Sequence, residues 1–556
     1  MTMLSRRQLI GQGAAMVLAG PALAAERSLD LALVNARVWT GEGAFATLSA
    51  VGVIGDRIAA IGAGAVRARS GSGTRVVDLQ GAFLMPAFID NHSHFLKGSR
   101  TLTQPDLLSS KDRADFAARL GAAARAHPDR WILGGGWDEQ RLGGELPTRE
   151  WIDAATGDTP VAVPRTDLHM YLLNSAAIRA AGITRRTPDP AGGVIGRDAK
   201  GEPSGIFKDN ANLLWQRVLP PPSEAANEEA LRHGIAHGLR HGVAQVHIPE
   251  IEWETHASLQ SLRARGEPGM RFYSLVPLAD WEKMAAIVRE QGRGDDWLRW
   301  GGVKALADGS LGSRTALFRR DYADAPGQHG VRVTSLADLR RWILGADKAG
   351  LHVTTHAIGD EANDDVLDIL GEVARINGPR DRRFRIEHAQ HCRPATIPRF
   401  ARQKVIASVQ PYHAIDDGRW AVQRIGPERL DGTYAFKSFL DAGATVTFGS
   451  DFPVAPLDPL TGVFAAISRE TIDGANPRGW LPDQKVSMIQ TLTAYTGANA
   501  YAGFQEDRLG AIRPGYIADL TVLDADLFTV APDAIPKVQV LRTLVGGRER
   551  FGPDAV

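Results

Sequence analysis

The chain has 556 residues, 44% of them hydrophobic and 23% charged, which is enough apolar content for a large core with satellites. Lys+Arg and Asp+Glu balance at 64 each, so no basic excess points to nucleic acid and no polybasic run to a membrane surface. No apolar run reaches the roughly 18 residues of a spanning helix.

In chain order, the first segment reads as a targeting signal. Ser5-Arg-Arg-Gln-Leu-Ile10 is a twin-arginine pattern, a weakly apolar stretch follows, and Ala22-Leu23-Ala24 offers a small-residue cleavage site. The expectation is a signal peptide at 1–25, a partner in the twin-arginine export machinery and a periplasmic or secreted protein. Cys392 is the single cysteine, so no intrachain disulfide is available there.

Residues 29–81 read as short strands. Leu31, Leu33, Asn35 and Arg37 alternate with their neighbours, and Gly55-Asp56 separates two apolar runs as in a hairpin. The stretches Ile512 to Asp524 and Val538 to Val545 mirror this at the other end. Together they predict a small β-sandwich domain assembled from 26–81 and 511–556.

The middle, 82–510, has another rhythm. Eight short apolar runs alternate with helical stretches: Ala82 to Ile89, Val243 to Ile248, Phe272 to Val276, Gly302 to Leu306, Leu351 to Thr355, Phe384 to Ile386, Val405 to Val409 and Ala444 to Phe448. Eight strand–helix units predict an α/β fold, a closed (β/α)8 TIM barrel. The gap between the first two runs is too long for one helix, so about 98–235 is expected to be an inserted cap.

His92 and His94 follow the first run. At i and i+2 on a strand both imidazoles face one way and suit a single ion. Lys304, His356, His388 and Asp451 end later runs, at successive spacings of 52, 32 and 63 residues. Any one of them alone is an ordinary polar residue at a strand end. Six residues of ligand type at five strand ends form a pattern, on the barrel face where active sites lie.

With these motifs the sequence resembles the amidohydrolase superfamily, in its YtcJ-like branch (amidohydrolase family 3). The resemblance covers nearly all of the chain after the signal. It is carried by Met85-Pro-Ala-Phe-Ile-Asp-Asn-His-Ser-His94, Gly134-Gly-Gly-Trp-Asp138, Val303-Lys-Ala-Leu-Ala-Asp-Gly-Ser-Leu-Gly-Ser-Arg-Thr-Ala316, His356-Ala-Ile-Gly-Asp360, Arg385-Ile-Glu-His-Ala-Gln390, Ser408-Val-Gln-Pro411, Gly449-Ser-Asp-Phe-Pro453 and Pro514-Gly-Tyr-Ile-Ala-Asp-Leu520. Ala87 stands where the family usually has glycine.

The resemblance implies two divalent ions, zinc first, with His92, His94 and Asp451 on one, His356 and His388 on the other, and Lys304 bridging as its CO2-derived carbamate. Asp451 would also be catalytic, taking a proton from the attacking hydroxide that the metals make available and passing it to the leaving nitrogen. The implied activity is hydrolysis of a carbon–nitrogen bond other than a peptide bond, an amide or cyclic amide, in a small-molecule substrate. Single-metal deaminases typically lack the lysine and place Glu three residues after the strand-five histidine. Here Lys304 is present and Gly359 holds that place. Ester or lactone hydrolysis at the same site, and a non-catalytic periplasmic binding protein, are the alternatives.

Trp137, His169, Asp308 and His413 are candidate substrate contacts, and His247, ending the second run, could reach the site. His233, His237 and His241, four apart on a helix, read as a chance stripe outside the barrel. A homo-oligomer is possible.

Overall fold

A computed structural model describes residues 27–43, 47–102, 104–128, 130–219, 223–250, 252–266 and 269–555. The expected signal peptide at 1–25 lies outside the described residues.

Eight parallel strands form the centre: β1 (Phe88–Asp90), β2 (Val243–Pro249), β3 (Arg271–Pro277), β4 (Leu298–Leu306), β5 (His352–Ala357), β6 (Arg385–His388), β7 (Ile406–Val409) and β8 (Val446–Phe448). They pair in sequence order from β1 to β8. Buried strands with no polar face, wrapped by helices, are what near-continuous apolar runs specify. All eight expected strands are present, with one difference at the first. The run Ala82 to Ile89 is divided. Phe83–Pro86 pairs with Leu520–Leu523 in the terminal sheet, and only Phe88–Asp90 enters the barrel. Ala87 N–H still donates to Asp519 O on the terminal-sheet side and Phe88 N–H donates to Gly242 O just before β2, so the chain changes sheets between them.

The two ends of the chain do meet. Arg548–Phe551, Val540–Val545, Leu520–Leu523, Phe83–Pro86, Leu31–Val38, Thr47–Ile54 and Arg57–Ile61 follow one another in one sheet, with Arg75–Asp78 also beside Leu31–Val38. Their shared core draws on Leu33, Val51, Val53, Leu520, Val522 and Leu544. Gly55, at φ +59, turns the hairpin that its sequence predicted, and Ile54 faces Arg57 across it.

Between β1 and β2 a four-stranded antiparallel sheet stands apart, ordered Ala162–Pro164, Met170–Leu173, Pro203–Asp209, Gly193–Arg197. This is the cap sheet. The expected limit of the insertion at 235 falls inside the helix Glu224–Arg240, which packs on the barrel, so the insertion ends before that helix. Leu231, Ile235 and Leu239, four residues apart along this helix, are all buried, and a continuous apolar stripe of that kind cannot be cut.

The seam between β8 and β1 decides the geometry of the site. Asn91 N–H donates to Phe448 O at 3.4 Å, Asp451 N–H to His92 O at 2.7 Å and His94 N–H to Phe452 O at 2.8 Å. Asn499, buried behind the seam, donates its amide to both Ile89 O and Phe448 O. Asn499→Ala removes that shared donor from two carbonyls at the seam. We expect a loss of about 1–3 kcal/mol, read as a lower thermal midpoint. An unchanged midpoint would mean that the seam is held without it.

Candidate metal centre

The seam ends at two loops tied together by one carboxylate. Asp90 accepts from His92 N–H at 3.0 Å and from Ser450 N–H at 3.0 and 3.1 Å. Burial pushes its carboxyl up to about 6, against the pull of those hydrogen bonds. Gly449 sits where a Cβ would approach Asn91 Oδ1 to 2.6 Å and His92 N to 2.7 Å, so no larger residue fits between these loops. Asp451 follows at φ +63, a left-handed conformation that Asp tolerates better than most residues. These constraints place Asp451 Oδ1 3.4 Å from both His92 Nε2 and His94 Nε2.

Each histidine is held from behind. His92 Nδ1 donates to Glu387 Oε2 at 2.7 Å, and His94 Nδ1 to Glu250 Oε2 at 3.2 Å. His388 Nδ1 donates to Gln410 Oε1 at 2.8 Å. A proton fixed on Nδ1 leaves Nε2 as a lone pair aimed inward. Glu387 is fully buried and takes two guanidinium hydrogen bonds from Arg385, at 2.8 and 2.6 Å, with Ser408 Oγ as a further donor. Lys97 and then His94 hold the Glu250 carboxyl down near 2, against its burial.

His92 Nε2, Asp451 Oδ1 and His413 Nε2 are buried with no hydrogen-bond partner among the described residues. Buried polar atoms are rarely left so, and here they converge. Among the described residues, two groups have ligand atoms close enough to hold one ion: His92, His94 and Asp451, and His388, His413 and Asp451. Burial pushes the Asp451 carboxyl up to about 7, with His94 and Lys304 pulling the other way. Burial likewise drives His92 and His388 well below the usual imidazole range, so both rings are neutral. The donor set fits divalent metal.

His356 lies beside this cluster, its ring 4.5 Å from that of His388. Its Nε2 donates to Gly309 O at 3.0 Å, which leaves Nδ1 as the ring atom for a ligand. Lys304 is buried on β4 and lines the same cavity, and burial lowers its pKa while Glu387 and Asp451 resist. The six residues expected at the strand ends are therefore gathered at one end of the barrel. The cavity, about 260 Å³, opens from them towards the cap.

The other candidates divide. His169 lines the cavity from the cap, and its ring is 5.2 Å from that of His356. His413 lines it too, 3.7 Å from Asp451 Oδ2, and belongs to the second group of converging ligand-type atoms. Trp137 does not line it. The indole is wholly buried in the apolar core of the cap and donates to Val163 O at 2.9 Å, so it packs the insertion. Asp308 does not line it either. It is fully buried and accepts from Leu317, Ile358 and Gly359 N–H at 2.8, 3.0 and 2.8 Å, and a carboxylate so engaged organises loops rather than meeting a substrate.

His247 is turned away, receiving Arg385 at 3.1 Å. In the histidine stripe, His233 is half exposed beside Glu229 and His237 stacks on Phe452. None of the three lines the cavity. Sequence reasoning missed Glu387, Glu250 and Gln410 as supports. Glu387 stood inside the motif Arg385-Ile-Glu-His388, and its period-two alternation with Arg385 was the available signal.

Residues 75–551 match a family model described as amidohydrolase family. The chain is 35% identical to Protein LONG AFTER FAR-RED 3 of Arabidopsis thaliana, over 94% of this chain and 91% of that one. It is 32% identical to the putative amidohydrolase YtcJ of Bacillus subtilis, over 85% and 90%. It is 28% identical to the N-substituted formamide deformylase of Arthrobacter pascens, over 94% and 98%. Among solved structures, an uncharacterized metal-dependent hydrolase from Pyrococcus horikoshii superposes with a TM-score of 0.75 at 29% identity, covering 90% of this chain and 99% of that one.

Proposed function

The chain belongs to the amidohydrolase family, and from that premise we propose that it hydrolyses a carbon–nitrogen bond other than a peptide bond, in an N-substituted formamide or a related small amide. The observation that carries the reading is the convergence of unpartnered His92 Nε2 and Asp451 Oδ1 at a cavity roofed by the cap. The deformylase relative supports the choice of bond, since its name records cleavage of that kind and it aligns along 94% of this chain.

His92, His94 and Asp451 would hold one divalent ion, zinc by preference of His/carboxylate ligation. His356 and His388 would hold a second, with His413 adjacent and Lys304, as its carbamate, between the two. Buried lysine with a lowered pKa is more readily the neutral amine that reacts with CO2, and this supports that assignment. When bound, such ions polarise a carbonyl and make hydroxide available from water near neutral pH.

The chain's own residues supply the rest. Glu387 and Glu250 fix the tautomers of His92 and His94, so that Nε2 faces the site. Asp451 offers Oδ2 as a proton acceptor beside His413. The cap covers the cavity, limits water and selects the substituent on nitrogen.

The test is a screen of metal-loaded protein against N-alkylformamides, N-acyl amines and cyclic amides, with esters and lactones in parallel and elemental analysis of the loaded chain. We expect amide turnover, two ions per chain, and loss of activity on dialysis against a chelator. Turnover of esters with none of amides would reject the carbon–nitrogen assignment.

A further inference from the structure

We propose that the cap contributes a catalytic residue, His169, whose Nε2 hydrogen-bonds the reacting group of the substrate, and that Asp209 is the positioning residue that aims it. The inference rests on the hydrolase reading above but adds a residue that lies outside the strand-end set.

Both residues sit at one end of two paired cap strands, Met170–Leu173 and Pro203–Asp209. Lys208 pairs with Met170 across the strands, so His169 and Asp209 face each other one step further on. Asp209 N–H donates to His169 O at 2.8 Å, and the side chains repeat the link, with His169 Nδ1 2.6 Å from Asp209 Oδ1. The pairing consumes Nδ1 and leaves Nε2 facing the cavity that His169 lines. Asp209 adopts φ +47 and ψ −124, a conformation costly for a residue with a side chain. Its carboxylate is 2% exposed, and Oδ2 is buried without a partner. A strained backbone and an unsatisfied buried acid are hard to explain as fold stabilisation. They are what a fixed dyad demands.

The dyad also bears on the barrel. A Cβ on Gly309 would meet Thr315 Oγ1 at 2.1 Å and then Asp209 Oδ1 at 3.0 Å, while Gly309 O accepts from His356 Nε2. Asp209 thus packs against the loop that orients His356. The His169 ring is thereby held next to the candidate metal ligands from the side opposite the barrel wall.

The experiment uses the full-length zinc-loaded protein and four variants: H169A, D209A, D209N and H169A/D209A. Two probes are used, N-butylformamide for turnover and acetohydroxamate for binding by titration calorimetry. We expect H169A to lower kcat by about a hundredfold, with KM within about threefold. D209A should lower kcat about tenfold, and D209N less, since its amide oxygen still accepts from Nδ1–H. The double variant should match H169A, because a residue that acts only through another has no effect once that other is gone. Hydroxamate affinity should follow the same order, at equal zinc content.

If D209A multiplies the defect of H169A, Asp209 acts by another route and the positioning role is lost. If H169A raises KM alone, His169 is a binding contact and not catalytic. Should the wild type leave N-butylformamide intact, the formamide reading fails for this probe. Hydroxamate affinity then decides the dyad by itself, and equal affinity in all five proteins would overturn it.

Discussion

Asp451→Asn is expected to cut turnover by about 10²–10⁴-fold while leaving most of the bound metal in place. The substitution is nearly isosteric. Asparagine tolerates the left-handed backbone that Asp451 occupies, and its amide oxygen can still face His92 and His94. What it lacks is a carboxylate to take a proton. Turnover and elemental analysis of the same preparation separate the two functions. Near-normal turnover in the variant would remove Asp451 from the chemistry. Loss of metal in step with activity would make it a ligand only.

The largest structural effect is expected at Glu387. This carboxylate is completely buried and carries the guanidinium of Arg385 on one oxygen and His92 Nδ1 on the other. Arg385 itself is fully buried, reaching Asn91 O at 2.9 Å and His247 Nδ1 at 3.1 Å. Glu387→Ala would leave that cation without its partner at the centre of the barrel. Removing one member of a buried pair costs about 3–5 kcal/mol. We expect Glu387→Ala to accumulate poorly or to unfold at a markedly lower temperature. Glu387→Gln keeps the shape and one acceptor oxygen, and should fold. In that variant His92 loses the carboxylate that fixes its tautomer, and metal affinity should fall about 10–100-fold. Competition with a chromogenic chelator measures this directly. Wild-type metal affinity in Glu387→Gln would show that His92 does not need the carboxylate behind it.

These predictions mark a boundary in what could be read from residues alone. The eight barrel strands were legible because parallel strands buried on both faces must be apolar throughout, and such runs stand out in sequence. The ends of those runs were legible as a site because polar residues of ligand type recur there. His92 and His94 were readable as a pair because the two-residue period of an extended chain sends both the same way.

His388 and Asp451 were placed by something else. Strand alternation points Arg385 and Glu387 to one side and would send His388 to the other. Positive φ at His388 (+72) and Ala389 (+43) turns the chain at that point, and His388 joins the cluster. Asp451 is turned by φ +63 and pinned by the two loops that Asp90 ties together. No local pattern announces such turns at residues that carry side chains.

Distance along the chain hid the remaining parts. Glu387 reaches His92 across 295 residues, and Glu250 reaches His94 across 156. Trp137 and Asp308, attractive in a motif list, serve packing and loop geometry instead. The sequence by itself determined the barrel, the strand-end residues and the family, because hydrophobic period and short motifs are local properties. Only the tertiary structure decided which imidazole nitrogen faces inward, which carboxylates stand behind, and that His169 with Asp209 hangs over the site, because those depend on chain segments that meet only when the barrel closes and the cap folds over it.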